Sequence, residues 1–135
     1  MTEFTSKQVQ ILKPDYTIYN ILSDFNNFTP IVQDKIEEWT ASEDSCSFKV
    51  NGFVIKLKMV DKEPYKTIKL TGDQLPFEFY FWIQLKSVAP EDTRMRLTIH
   101  AKMNMLMKAM IGKKLQDGLD KIADQIAFAF NNYGR

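Results

Sequence analysis

Acid/base or nucleophilic catalysis needs ionisable side chains that converge in a pocket, and few residues of this sequence are candidates for that work. The chain carries one histidine, His100, and one cysteine, Cys46. In the run RMRLTIHAKM, residues 94–103, His100 shares parity with Arg96 and Lys102, which turns its imidazole outward. Cys46 shares parity with Phe48 on an apolar face, where a thiol is buried, protonated and inert rather than nucleophilic. A zinc site would have to rely on carboxylates, so no metal or other cofactor is expected, and a lone cysteine closes no internal disulfide. The remaining polar candidates are Tyr16, Tyr19 and Asp24, which can equally serve as packing phenols and a helix cap.

The elements that must position these groups are legible from periodicity. In FEFYFWIQL, residues 77–85, Phe77, Phe79, Phe81, Ile83 and Leu85 share one parity, while Glu78, Tyr80, Trp82 and Gln84 share the other. That is a strand with two unlike faces. Closing through APEDT, it would set Leu85 against Leu97, Ile83 against Ile99 and Phe81 against Ala101. Asn51-Gly52 is a two-residue hairpin signal that pairs Val50 with Phe53, Phe48 with Ile55 and Cys46 with Leu57. A turn at Asp44-Ser45 would bring Ala41 opposite Phe48 and Trp39 opposite Val50. With FVIKLKMV and KTIKL, six antiparallel strands form a meander from about Ile36 to Met103.

Before the meander, EFTSKQVQIL reads as a further strand, with a bulge reconciling the opposite parities of Phe4 and of Val9 and Ile11. Tyr19, Leu22 and Phe25 then recur at helical spacing, and Phe28 to Val32 suggests a second short helix. From Asn104 the period becomes helical, with Met107, Met110, Ile111, Leu115, Leu119, Ile122, Ile126 and Phe130 on one stripe for about 25 residues. Gly112 and Gly118 interrupt it and point to close packing or a bend.

At 135 residues, with 44% hydrophobic and 26% charged residues, the chain is expected to form a single domain over 1–135. The start MTEFTSKQVQ lacks a basic n-region and an apolar h-region, and no apolar run is long enough to span a bilayer, so a cytoplasmic location is expected. The net charge of +1 gives no global pull toward nucleic acid. Lys56, Lys58, Lys69, Lys86, Arg94, Arg96 and Lys102 nevertheless share the outer sheet face with Tyr80 and Trp82. Basic residues among aromatics can bind single-stranded nucleic acid, but a solvated face or a protein contact around Trp82 fits this composition better.

The order strand, two short helices, six meandering strands and one long helix resembles the START-related superfamily. The resemblance is carried by YNILSDFNNF after the first strand, the DSCSFKVNG double turn, the KEPYKTIKL junction and FWIQL ahead of the terminal helix. It extends over essentially the whole chain and is similar to the small bacterial polyketide-cyclase-like members called SRPBCC proteins. The implied fold is α+β, a helix grip with a seven-stranded curved antiparallel sheet around a long C-terminal helix. The resemblance also implies a cavity between sheet and helix for an apolar or amphipathic molecule. Its wall would be drawn from Trp39, Phe48, Ile55, Leu57, Met59, Phe79, Phe81, Ile83, Leu97, Ile99, Met103, Met107, Met110 and Ile111, with Tyr16, Tyr19 and Asp24 at the mouth. Cyclase or aromatase activity is the alternative that the resemblance brings, but the assignable inward positions are nearly all aliphatic or aromatic.

Overall fold

A computed structural model describes residues 1–32, 34, 36–50, 52–75 and 78–132. The elements run β1 (Thr2–Thr5), β2 (Val9–Ile11), α1 (Asp15–Leu22), a 3₁₀ turn (Phe25–Phe28), α2 (Thr29–Val32), then β3 (Glu37–Ala41), β4 (Ser45–Val50), β5 (Phe53–Glu63), β6 (Thr67–Gly72), β7 (Phe79–Ala89), β8 (Asp92–Ala101) and α3 (Met105–Asn132). The sheet is antiparallel, curved and open, ordered β1-β8-β7-β6-β5-β4-β3, with β2 also paired to β8. This is the helix-grip architecture. The expected first strand is present as two short pieces along β8, because the chain bulges between them. Phe4 pairs with Ile99 and Val9 with Met95, a slip of one residue. Ser6 bridges the break: its N–H donates to the Leu97 carbonyl at 2.8 Å, and its hydroxyl accepts from the Leu97 N–H at 2.9 Å.

The β4–β5 hairpin has the expected register, Val50 to Phe53, Phe48 to Ile55 and Cys46 to Leu57. Gly52 supplies the positive φ, at 83°; Asn51 lies outside the described residues, as does Phe77. Two other hairpins are offset from expectation. Ala41 faces Cys46 rather than Phe48, because Glu43-Asp44 forms the tip and the Ser42 N–H donates to the Ser45 carbonyl at 2.8 Å. Likewise Leu85 faces Met95, Ile83 faces Leu97 and Phe81 faces Ile99, since the tip is Pro90-Glu91 and a bulge between Ser87 and Ala89 shifts the pairing by one more residue. At these pairs the offset is two residues, so the side chains keep their expected faces; a further one-residue shift falls between Glu37 and Thr40 in β3.

The position of α3 is set by polar contacts with the edge formed by β1 and β2. Asp120 Oδ1 accepts from the Lys7 N–H at 2.7 Å, Gln116 Nε2 donates to the Thr5 carbonyl at 2.8 Å, and Asn131 both accepts from the Leu12 N–H at 2.7 Å and donates to the Gln10 carbonyl at 3.0 Å. Backbone groups that an edge strand would leave open are thereby satisfied. Gly112, Leu119, Ala123 and Ala127 are the buried residues of α3, a mainly small-residue seam that lets the helix lie close to β1, β2 and β8. A Cβ on Gly112 would meet the Phe4 ring at 3.6 Å. Gly118 is different, with nothing within 4 Å of an added Cβ. Gly118→Ala should therefore stabilise the fold by about 1 kcal/mol, raising the melting temperature by about 4 °C in a thermal scan.

Candidate functional site

Because α3 packs toward β1, β2 and β8, while α1 meets β6 and β7 and α2 meets β3, the concave face of β3 to β7 is only partly covered and bounds a cavity of about 690 Å³. Its sheet wall is made by Trp39, Cys46, Phe48, Leu57, Leu70, Phe79, Phe81 and Ile83. Ile122, Ile126, Ala129 and Phe130 close it from α3, and Ile21, Leu22, Phe25, Phe28, Val32 and Ile36 from the short helices and the segment before β3. The aromatic part is braced from within: Trp39 stacks on Phe48 with ring centroids 6.1 Å apart, and its indole N–H donates to the Thr29 hydroxyl at 2.8 Å. Gly72 has no room for a side chain, since a Cβ there would meet Leu75 at 2.7 Å and the Phe79 ring at 2.9 Å.

Four polar residues join this wall: Lys13, Thr17, Asn27 and Gln125. Asn27 and Gln125 are exposed, as are the lining residues Ile21 and Ile122, so the mouth lies between α1 with its following 3₁₀ turn and α3. Lys13 is the one charged residue in the described lining. No carboxylate and no histidine belongs to that described lining. Among the described residues no group of three or more His, Cys, Asp and Glu side chains could hold a metal, and no helix is long and apolar enough to cross a membrane.

Of the expected wall, Trp39, Phe48, Leu57, Phe79, Phe81 and Ile83 lie on the cavity. Ile55 and Met59 are half-buried on β5 outside the lining, while Leu97 and Ile99 belong to the core beneath the opposite part of the sheet. Met103 is half-buried just after β8, and Met107, Met110 and Ile111 are exposed. The structure corrects the stripe of α3 for a geometric reason. The helix is seated by Gly112, Ala123 and Ala127, so the large apolar residues meet the cavity only from Ile122 onward and its first two turns stay open to solvent.

The expected mouth is also displaced. Tyr16 is exposed and Tyr19 is buried, both with rings edge-on to Tyr65, and burial raises the Tyr19 phenol pKa. Asp24 caps the 3₁₀ turn by accepting from the Asn26 N–H at 2.8 Å. At 100° per residue, α1 turns Thr17 and Ile21 to the cavity and Tyr19 away from it. The i, i+4 pair Thr17/Ile21 and the i, i+3 pair Phe25/Phe28 are signals in the sequence that mark this second wall. On the outer face, Trp82 is engaged within the chain: it packs against Tyr80, meets the His100 ring at 4.6 Å, and lies under the Lys69 ammonium. His100 is paired with Glu3.

The fold described here is shared with solved proteins of low sequence identity. The START superfamily protein from Mycobacterium smegmatis matches 92% of this chain and 98% of its own, with a TM-score of 0.61 and 16% identity. The di-domain ARO/CYC protein BexL of the BE-7585A biosynthetic pathway matches 95% of this chain with 46% of its own, at a TM-score of 0.73 and 13% identity. The Aha1 dimer from Colwellia psychrerythraea matches 99% of this chain and 100% of its own, at 0.71 and 16%. No family model matches the sequence, and no curated protein does. The chain thus has the helix-grip fold of START-related proteins.

Cys46 is the one thiol on the described cavity wall, and burial pushes its pKa up to about 11. At pH 8 the thiolate fraction is then about a thousandth, against roughly a fifth for an ordinary cysteine. Reaction with an aromatic disulfide reagent at pH 8 should be about two hundredfold slower in the native protein than in urea, measured as release of the coloured thiol.

Proposed function

We propose that this protein binds one hydrophobic or amphipathic small molecule, lipid-like or polyketide-like, in the cavity between sheet and α3, in the cytoplasm and without chemistry. The observation that carries the reading is the cavity itself, about 690 Å³ with an apolar wall and polar groups confined to Lys13, Thr17, Asn27 and Gln125. Ligand sites have this size and character, mostly apolar with a few placed polar groups. A wall of this kind selects by volume and shape, because each methylene moved out of water contributes about 0.8 kcal/mol wherever it lies. The likeness in fold to a START superfamily protein and to an ARO/CYC protein supports the reading at the level of architecture. A cyclase-like reaction would need ionisable groups within the wall, and only Lys13 and Cys46 are present in the described lining.

The polar rim orients the ligand with its apolar part inward and its head beside Lys13. Native mass spectrometry after incubation with a lipid extract should reveal a stoichiometric adduct, and a polarity-sensitive dye should brighten on binding. Ala129→Trp, which fills the cavity from α3, should abolish both signals while the protein remains folded. Lys13→Met should weaken a long-chain carboxylate about five- to tenfold and leave the corresponding alcohol unchanged, the partial exposure of the ammonium limiting the effect. The absence of any adduct or dye signal from the wild-type protein would falsify the reading.

A further inference from the structure

The two ends of the sheet differ in charge and in exposed apolar surface. Glu43 and Asp44 at the β3–β4 turn, Asp61 and Glu63 at the end of β5, and Glu91 and Asp92 at the β7–β8 turn all lie at one end. The other end is formed by the start of α3 and the tip of the β4–β5 hairpin. From Thr93 to Gln116 there is no acidic residue, and Lys102, Lys108, Lys113 and Lys114 are all exposed. Among the described residues none of these four lysines is in an ion pair. Three acidic groups nearby are engaged, Asp73 facing Lys58 at 4.0 Å, Glu78 accepting from the Tyr80 hydroxyl and Glu3 meeting His100, while the exposed Glu37 and Glu38 begin β3, the strand at the other end of the sheet order from β8.

The same end exposes large apolar side chains: Met105 is 89% exposed, Leu106 69%, Met110 68% and, at the hairpin tip, Phe53 72%. Helical spacing keeps Leu106, Met110, Lys113 and Lys114 on one outward face of α3. Apolar residues beside unpaired lysines are the composition of a helix that lies in a bilayer interface, where side chains enter the headgroup region and ammonium groups meet lipid phosphates.

We propose that this end docks on an anionic phospholipid surface, with Leu106, Met110 and Phe53 entering the interface and Lys102, Lys113 and Lys114 binding its phosphates. This requires nothing of the cavity, and it is peripheral binding, without a spanning segment.

The test is co-sedimentation of the full chain with phosphatidylcholine vesicles, with and without phosphatidylglycerol. Binding should need the anionic lipid and decline with salt. Reversing two lysines, Lys113→Glu with Lys114→Glu, should lower the partition coefficient more than tenfold, as expected if each contributes about fivefold. Leu106→Ser with Met110→Ser should abolish binding, and the melting temperature should hold within a degree or so, since these side chains are exposed. Failure to bind vesicles containing phosphatidylglycerol overturns the proposal, as does binding that survives both double variants. A dimer that Leu106→Ser with Met110→Ser dissociates, in a protein that ignores vesicles, would instead make this face a contact between copies.

Discussion

The side-chain clamp between α3 and the β1–β2 edge governs the rest of the structure. Gln116, Asp120 and Asn131 satisfy backbone groups of Thr5, Lys7, Gln10 and Leu12, and the Lys7 ammonium meets Asp124 at 2.6 Å. Each hydrogen bond is worth only about 1 kcal/mol net, so the clamp acts through their number and spacing. The clamp recurs over more than three turns of helix and so fixes both its lateral position and its rotation. A helix held on that side covers β1, β2 and β8 and leaves the concave face of β3 to β7 to the short helices and the cavity.

From that one placement come the cavity, its mouth and the exposed helix start. The cavity is the volume that an apolar sheet face and a displaced helix fail to fill between them. Aromatic bracing keeps it from collapsing, with Trp39 tied to Thr29 and stacked on Phe48, and Phe25 packed on Phe28. The mouth is where α1 and α3 diverge, and the polar residues collect there because water reaches them. Charge follows the same axis, acidic at one set of turns and basic where α3 begins.

The fold itself supports many functions, so architecture alone assigns none. What limits the chemistry is the lining. Lys13 stands at the rim, the Cys46 thiol is kept protonated by burial, and the remaining described wall is aliphatic, aromatic or amide and hydroxyl. In the proposed function, such a surface selects by shape.

Strand faces were readable in the sequence because side chains alternate with period two, and a shift of two residues in a hairpin changes partners without changing faces. That is why Phe79, Phe81 and Ile83 could be placed on the concave side although Ile83 meets Leu97 rather than Ile99. Trp39, Phe48 and Leu57 followed by the same rule. The helix was another matter, since a 3.6-residue period leaves the angle of the stripe undefined until something seats it. Met107, Met110 and Ile111 continue the stripe of Ile122 and Ile126, yet only the latter pair meets the cavity. The amino-acid sequence by itself determined the order of elements, the two faces of each strand and the helical period of the C-terminal segment, all of which are local and periodic. Tertiary structure alone decided where the helix lies, which residues remain unburied and where the cavity opens, because those depend on contacts between Asn131 and Gln10 or Gln116 and Thr5, more than a hundred positions apart.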